Sequence, residues 1–360
     1  MEPKITNLRE NNNILNFTLS GVNYSIANGL RRTILSDIDT VVIHTSDESI
    51  SLNTSRLNNE IIRQRLGCIP VHIKDLTIPI ENYVVEIDIK NESDKLMIVT
   101  TQDIKVQNLQ TNTYLSKSDV EQLFPPNNIT GDFIDILRLR PKLSDNHNGE
   151  MIKLACALKR SNANENGMYN VVSTCSYGAT VDNELADKKL KDYLKSFKDK
   201  KSSDLTLLEK DWNNLDRQRY TIENSFDFII ETVGVFENME ILELGLKKLI
   251  HRLQQCITIQ YETKQIESTI KNCYEVKLDD ISHTIGNIIN FCMYDMYYEK
   301  NKVLNYNGFL KKHPHDTFST LKLGFNETSS IETVRMTVKQ SLLAGIEIYK
   351  NILTFVKKED

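Results

Sequence analysis

The sequence lacks the short motifs by which many enzymes of this size can be recognised. It contains no G-x-x-x-x-G-K-[ST] phosphate-binding loop, no H-E-x-x-H metal motif and no G-x-S-x-G nucleophile motif. Carboxylates are numerous, but their spacing singles out no catalytic pair. We therefore predict no catalytic residue in this chain, and an enzyme without a recognisable motif stays open as the less favoured alternative.

Paired cysteines are also missing. The six cysteines are isolated, and no two form the C-x-x-C pair that is typical of zinc sites; they are Cys68, Cys156, Cys175, Cys256, Cys273 and Cys292. Isolated thiols are typical of a reducing compartment, where cysteine acts as a small buried hydrophobic residue. We expect core cysteines, no bound metal and no cofactor. His313 and His315 offer two ring nitrogens, but without a third ligand an exposed loop is the favoured interpretation.

Long apolar segments do not occur either. No run approaches the roughly 20 residues that span a bilayer, and the N-terminus has no apolar core of a signal peptide. With 44 basic and 49 acidic residues the net charge is −5, which argues weakly against broad nucleic-acid binding. We expect a soluble intracellular protein with no membrane contact and no dominant direct contact with nucleic acid.

The sequence does contain a strand-and-helix pattern that occurs twice. The first strand has alternating apolar residues, and the helix after Asn23 has one apolar face, with the residues Leu15, Phe17, Leu19, then Ile26, Leu30, Thr33 and Ile34. The pattern returns 259 positions later as Tyr274, Val276, Leu278, then Ile285, Ile289 and Cys292. Two later strand-then-helix segments, 225–256 and 317–355, correspond in the same way.

This repeat predicts an α+β fold with two pseudo-equivalent halves. Each half has only a few strands and two amphipathic helices, so packing one half on the other would bury both helix faces, as in a two-fold dimer. The predicted core of this intramolecular dimer consists of Ile26, Leu30, Ile34, Ile285, Ile289 and Cys292. Because the chain would satisfy its own dimer interface, we expect no homo-oligomer.

A change in residue pattern predicts an insert between the halves. From about 51 to 180, short strand-like runs alternate with turns rich in Asn, Asp and Pro, which is typical of a β-rich domain. The predicted boundaries are 1–50 and 220–262 for the first half, 51–219 for the insert domain and 263–360 for the second half. A charged, lysine-rich segment near 183–216 favours a surface helix, because acidic residues interrupt the positive run; a role in binding nucleic acid or a partner stays open.

Three residues interrupt the apolar pattern of the first helix. Arg31 and Arg32 lie off the apolar stripe, which is typical of a solvent-exposed face. Glycine in a helix interior costs up to about 1 kcal/mol, so Gly29 indicates that another group approaches the backbone closely. The matching positions in the second pattern, Asn290 and Phe291, are not arginines.

These segments resemble the signatures of the α-like assembly subunits of multisubunit DNA-directed RNA polymerases. "NGLRRTILSDI" and "RLNNEIIRQRLGCIPVHI" are similar to the family's N-x-L-R-R helix and its H-R-L-G-x-I-P segment, with Gln64 where histidine is common. Residues 149–178 resemble the family's insert segment. "SHTIGNIINFCMYDM" resembles the D-H-T-L-G-N signature of the smaller partner subunit, with Ser282 at the usual aspartate; its signature residues are His283, Thr284, Gly286 and Asn287.

Both signatures in one chain imply a fusion of the larger and smaller α-like subunits, similar to those of nucleocytoplasmic large DNA viruses such as asfarviruses. The resemblance implies a non-catalytic assembly subunit, a platform that docks the largest and second-largest polymerase subunits and is accompanied by small zinc-binding polymerase subunits. It implies an interface with the second-largest subunit formed by Asn28, Gly29, Arg31 and Arg32, where arginine suits pairing with carboxylates. A viral protein would act in the infected-cell cytoplasm, in viral factories, and be packaged in the virion.

The sequence departs from some relatives in its insert, where those relatives carry a cysteine cluster that binds zinc or an iron–sulfur cluster. Here the insert has only three well-separated cysteines, so no such site is expected. A dimeric scaffold of an unrelated complex, sharing only the strand–helix repeat, is the competing interpretation.

Overall fold

The computed structural model describes residues 2–142, 144, 148–197 and 202–357, and the chain divides into two compact units. The larger unit comprises Met1–Ile34, Thr174–Glu231 and Asn238–Asp360. The smaller unit comprises Leu35–Ser173 and Thr232–Glu237, so along the sequence it is inserted into the larger one.

The strands and α-helices are numbered here in chain order. The first group contains β1 (Lys4–Asn11), β2 (Ile14–Ser20), α1 (Tyr24–Ser36), β3 (Thr40–His44), β4 (Ile50–Asn53), α2 (Asn59–Gly67), β5 (Tyr83–Lys90), β6 (Met97–Thr100), β7 (Lys105–Asn108), β8 (Thr113–Tyr114), α3 (Lys117–Leu123), β9 (Asp135–Leu139) and β10 (Met151–Ser161). The second contains β11 (Val172–Val181), α4 (Asn183–Lys195), α5 (Ser202–Asn214), β12 (Thr221–Thr232), α6 (Asn238–Thr258), β13 (Thr263–Gln265), β14 (Cys273–Asp279), α7 (His283–Met293), β15 (Leu304–Leu310), β16 (Phe318–Phe325) and α8 (Ile331–Val356).

The larger unit contains two four-stranded sheets. The N-terminal sheet has the order β1-β2-β12-β11, and the C-terminal sheet has the order β13-β14-β16-β15. In the N-terminal sheet the buried rings of Phe17 and Phe228 stack, with centroids 5.0 Å apart. As predicted, α1 begins after Asn23, whose Oδ1 accepts a hydrogen bond of 2.9 Å from the backbone N–H of Ser25.

The two sheets are connected to their helices in the same way. α1 follows β2 and α7 follows β14, while α6 follows β12 and α8 follows β16. Moved along by 259 positions, β2 covers the bounds of β14. One difference is that α7 continues directly into a π-helical segment, Tyr294–Lys300.

Helix α8 packs on α6, which follows the N-terminal sheet, and on α7, which like α8 follows the C-terminal sheet. Gly345 permits this approach on α8, because a β-carbon there would lie 3.3 Å from Ile288 Cγ2 and 3.6 Å from Cys292 Sγ. Leu253 of α6 is also in contact, with its Cδ1 3.7 Å from the same position. Gly345 thus allows close contact between α7 and α8, and Leu253 of α6 lies at an ordinary van der Waals distance.

The smaller unit is rich in β structure. Five strands follow the order β3-β10-β5-β7-β8, β4 also pairs with β10, and β6 pairs with β9 as a separate ribbon. Alternate residues of the long central strand β10 are buried, which is the pattern of a strand with one face on a core. The buried core includes Val85, Ile87, Ile152 and Leu154.

The predicted domain boundaries at 50 and 220 differ from this division and are wrong in position. Residues 35–50 belong to the smaller unit because β3 pairs with β10, as in the pair Val42 and Lys159. Residues 174–219 belong to the larger unit because β11 joins the N-terminal sheet beside β12. In both cases long-range strand pairing, which local composition does not reveal, determines where the unit begins and ends.

The lysine-rich segment forms two helices, α4 and α5, in its described part. Their contact is aromatic: the Trp212 ring stacks on Tyr193, with centroids 5.0 Å apart, and on Tyr220 at 5.8 Å. Residues 198–201, which include three of the lysines, lie outside the described residues. Among the described helices, none is long and apolar enough to cross a membrane.

Candidate functional site

Gly29 marks the closest approach of α1 to the helices that follow the C-terminal sheet. It is buried, and a β-carbon at this position would lie 2.7 Å from both Ile288 Cδ1 and Tyr349 Oη. The sequence indicated such a close approach, but the assignment of Gly29 to an interface with another subunit is wrong, because the neighbours that exclude a side chain belong to this chain.

Tyr349 of α8 forms a buried hydrogen bond with α1. Its Oη donates to the backbone carbonyl oxygen of Ile26, at 2.9 Å, and its side chain is fully buried. Burial raises the pKa of Tyr349 well above its usual value, so the phenol stays neutral and remains a donor. Sequence reasoning missed Tyr349; the available signal was a tyrosine on the apolar stripe of the last helix, where a buried hydroxyl needs a partner.

The side chain of Arg32 makes a contact between α1 and α7. Its Nε donates a hydrogen bond of 2.9 Å to Oγ1 of Thr284, in the first turn of α7, and the arginine is exposed. The residue therefore stabilises the internal contact between helices while part of its guanidinium surface stays accessible to solvent.

Arg31 has different surroundings. It is half-buried, and its Nε and Nη2 donate to Oδ1 of Asn28, at 3.0 Å and 2.9 Å, one helical turn earlier. Burial raises the pKa of Cys175 to about 12, and the nearby positive charge of Arg31 opposes part of this rise. Asn28 therefore orients the guanidinium group of Arg31 along α1.

The four residues of the second signature have separate roles around α7. Gly286 is buried under the ring of Phe309, whose atoms occupy the space that a β-carbon would need. His283 meets the same ring edge to face, with centroids 5.4 Å apart. Thr284 accepts the hydrogen bond from Arg32, and Asn287 is exposed. Three of the four thus fix α7 against β15 and α1.

The residues predicted as the core of the internal dimer are all buried. Their side chains are at most 1% exposed: Ile26, Leu30, Ile34, Ile285, Ile289 and Cys292. Ile34 lies against α6, since a β-carbon at Gly245 would be 2.6 Å from Ile34 Cγ1. The arrangement is a packing site of apolar side chains and small residues, with few polar groups.

Among the residues that the structure describes, the thiols and imidazoles are not arranged as a metal site. Five cysteines are buried, but Cys68 is exposed, so the expectation of a core position is wrong for Cys68. Burial raises the pKa of Cys156 to about 11 and that of Cys292 to about 12, which keeps both thiols neutral. Within the described ranges, no three His, Cys, Asp or Glu side chains are grouped so as to hold a metal ion. In the exposed loop, the backbone N–H of His315 donates to Nδ1 of His313 at 3.1 Å.

The purified chain is expected to contain no stoichiometric zinc or iron. The reason is chemical: buried neutral thiols are poor metal ligands, because metal binding requires the thiolate. Elemental analysis of protein purified without chelator measures this directly. About one zinc or several irons per chain, retained after dialysis, would contradict the prediction.

The described residues of this site hold helices together by apolar packing, which is typical of a dimerisation domain. Residues 16–253 match the family model of the RNA polymerase Rpb3/Rpb11 dimerisation domain, and the chain belongs to this family. The matched region begins within β2 and ends before β13, so it includes the smaller unit and the N-terminal sheet without β1, but not the C-terminal sheet.

Curated relatives are similar over part of their length. The chain is 30% identical over 190 residues to the DNA-directed RNA polymerases I and III subunit rpac1 of Dictyostelium discoideum, covering 48% of this chain and 51% of that protein. It is 34% identical over 117 residues to the conjugation stage-specific protein of Tetrahymena thermophila, 32% of this chain and 35% of that one. It is 35% identical over 78 residues to the DNA-directed RNA polymerase II subunit RPB3 of Schizosaccharomyces pombe, 22% and 26% respectively. The matches thus span about half of these relatives or less.

Proposed function

We propose that the chain is a non-catalytic assembly subunit of a DNA-directed RNA polymerase, with both partners of the α-like pair joined in one polypeptide. The observation that carries this proposal is the pair of four-stranded sheets with the same strand order, whose helices pack on each other. The family match over residues 16–253 supports the assignment of the N-terminal sheet. The signature around His283 and Gly286 supports the assignment of the C-terminal sheet to the smaller partner.

The contact at Gly29 supports a pseudo-two-fold relation between the two sheets and their helices. Shifted by 259 positions, Gly29 falls on Ile288, and these two residues face each other directly. In a two-fold arrangement, only residues near the axis meet their own equivalents. Gly29 and Ile288 are therefore the residues that we assign to the axis.

The surface of α1 around Arg31 and Arg32 is our candidate for docking the second-largest polymerase subunit. Asn28 orients Arg31, and Arg32 is exposed, so both guanidinium groups are near the surface of the larger unit. The equivalent positions on α7, Asn290 and Phe291, carry no charge, which fits a different neighbour, the largest subunit. We also propose that the joined architecture and its location follow the fused subunits of large DNA viruses, with small zinc-binding subunits completing the assembly.

Affinity purification of the tagged chain from the cells that express it tests the proposed function. The largest and second-largest polymerase subunits should co-purify in near-equal amounts with the chain, as quantified by mass spectrometry. Recovery of a different complex, with the tagged chain folded and monodisperse, would support the unrelated-scaffold alternative instead.

Replacing Arg31 and Arg32 together by alanine is expected to weaken docking of the second-largest subunit at least about tenfold, since truncating a buried interfacial arginine typically costs about 2 kcal/mol or more. The melting temperature should change little, because the hydrogen bond from Arg32 to Thr284 is solvent-exposed. Co-purification yield of the large subunit is the measurement.

Two control variants show whether weaker docking results from loss of the arginines at the interface, from a general loss of positive charge or from loss of the contact between Arg32 and Thr284. Lys339→Ala with Lys350→Ala removes the same charge from exposed positions of α8, and it should retain docking. Thr284→Val removes the internal partner of Arg32 but keeps both guanidinium groups. If Thr284→Val weakens docking as much as the double arginine variant, the arginines act by positioning α1, and the proposed interface is wrong.

A further inference from the structure

The two faces of the C-terminal sheet have different surroundings. Phe309 of β15 packs on Gly286 of α7, and Leu321 of β16 lies directly opposite Phe309, so this face is the one that the helices cover. Successive residues of a strand alternate between faces. Gly308 and Lys322, which also oppose each other, therefore stand on the other side, which we name the outer face.

Charged residues form a row across the outer face. Lys264, Glu275 and Lys322 are consecutive partners on β13, β14 and β16. In a second row Lys277 lies opposite Thr320, and its Nζ is 5.2 Å from the centroid of the Phe318 ring. These residues border a groove of about 350 Å³, which is lined by Glu262, Lys264, Glu275, Lys277, Lys312, Phe318 and Thr320.

The lysines of this face exceed the carboxylates that pair with them. Lys264 pairs with Glu275 at 3.3 Å, and Lys277 pairs with Asp279 at 3.2 Å. For Lys312 and Lys322, no carboxylate among the described residues lies within ion-pair distance. With four lysines and three carboxylates (Glu262, Glu275 and Asp279), the outer face has an excess of one positive charge.

The equivalent face of the N-terminal sheet is different. Ile229 opposes Asn16 there, as Lys322 opposes Glu275 in the C-terminal sheet. The carboxylate of Asp227 accepts hydrogen bonds from the hydroxyl groups of Thr18, at 2.7 Å, and Thr180, at 3.0 Å. The excess of lysines thus occurs in one of the two sheets. If lysines were needed here only to keep a sheet of this fold soluble, both sheets would carry them.

Apolar groups border the basic surface along the edge strand β15. Leu310 is 42% exposed and Tyr306 is 41% exposed, both large fractions for apolar side chains on a sheet. The ring of Tyr306 extends along the strand over Gly308, because a β-carbon at Gly308 would lie 2.7 Å from Tyr306 Oη. A partner could therefore bury these two side chains while it pairs with the lysines.

We propose that the outer face of the C-terminal sheet docks an acidic segment of another protein. Charge complementarity with Lys312 and Lys322 carries the proposal, and burial of Tyr306 and Leu310 adds to it. A protein segment suits this face better than nucleic acid does. Its residues can be neutral where Glu262, Glu275 and Asp279 lie, whereas a phosphate backbone is negative at every nucleotide and the chain has a net charge of −5.

Site-specific photo-crosslinking in cells tests the proposal with the full chain. Benzoylphenylalanine replaces Leu310, and the same residue at Met336, 55% exposed on α8, is the control position. We expect a crosslink from position 310, absent at 336, to a protein segment in which acidic residues outnumber basic ones. A crosslink to nucleic acid, to a second copy of this chain or to a neutral or basic segment overturns the proposal, and so does the absence of a specific crosslink.

Charge reversal shows whether Lys312 and Lys322 are responsible for docking the acidic segment. Lys312→Glu with Lys322→Glu should lower the crosslink yield from position 310 at least about tenfold, because like charges would then face the acidic segment. Lys339→Glu with Lys350→Glu, the matched reversal on α8, should leave it unchanged. Equal yields from both variants overturn the proposal. The result is separable from the polymerase assignment: an acidic segment of a protein outside the polymerase would support this docking face and contradict the proposed function.

Discussion

Replacing Gly286 by alanine is expected to lower the free energy of unfolding by about 2 kcal/mol, although alanine is the better helix former by up to about 1 kcal/mol. The added methyl group would occupy space that the half-buried Phe309 ring already fills, so the ring has to shift from its packing on α7. Urea unfolding, followed by circular dichroism, measures the change.

A matched glycine is available as the control. A β-carbon at Gly178, an exposed residue of β11, would meet no atom within 4 Å, so Gly178→Ala should change stability by less than about 0.5 kcal/mol. Adding Phe309→Leu to Gly286→Ala should restore part of the loss, because the smaller side chain leaves room for the methyl group. Equal effects of the two glycine variants would contradict the packing described for α7.

Dividing the chain after Ile259 is expected to give two fragments that bind each other and are poorly folded alone. The chain is exposed at Ile259, so it can be divided there. Tyr261 and Glu262 are left in the C-terminal fragment because they form hydrogen bonds with it. Arg335 Nε donates to the carbonyl oxygen of Tyr261 at 3.2 Å, and the N–H of Lys277 donates to the carbonyl oxygen of Glu262 at 2.9 Å. Tethering raises only the effective concentration of the two parts and adds no contact.

Size-exclusion chromatography of the co-expressed fragments is the measurement. One peak containing both fragments is expected, at the elution volume of the intact chain. Each fragment expressed alone should aggregate or show little cooperative unfolding, because Ile26 and Leu30 in one, and Ile288 in the other, would lose the surfaces that cover them. Two soluble fragments that do not associate would contradict the two-half interpretation.

Local patterns in the sequence were sufficient to predict several elements of the larger unit, although β1, β13 and β15 were not predicted. Alternating apolar residues around Phe17 predicted β2, the side chain of Asn23 marked the start of α1, and the predicted strand-then-helix segment 317–355 corresponds to β16 and α8. Each of these features depends on neighbours within one or two turns, so periodicity and capping chemistry determine them.

The contacts of the candidate site depend on residues far apart in the sequence, and they could not be predicted in the same way. Gly29 indicated a close approach, but nothing local shows that Tyr349 and Ile288 supply it. The unit boundary near β3 was misplaced because its partner β10 follows more than a hundred residues later. Arg32 fitted a solvent-exposed face by helical spacing, yet its hydrogen bond to Thr284 depends on how α7 is placed.

The insertion of the smaller unit has a consequence for the order in which the chain folds during synthesis. β2 pairs with β12, as in Ser20 and Ser225, so the whole of Leu35–Ser173 is made before the N-terminal sheet can close. The strands of the C-terminal sheet, by contrast, are neighbours in the sequence. Pairing between strands far apart in the sequence is slow, because the chain loses the entropy of loop closure before the stabilising contacts form. On the ribosome the smaller unit can therefore complete its sheet first. Until β12 is synthesised, the apolar residues of β2 and α1 stay exposed. We expect the nascent chain to need a chaperone most during this interval.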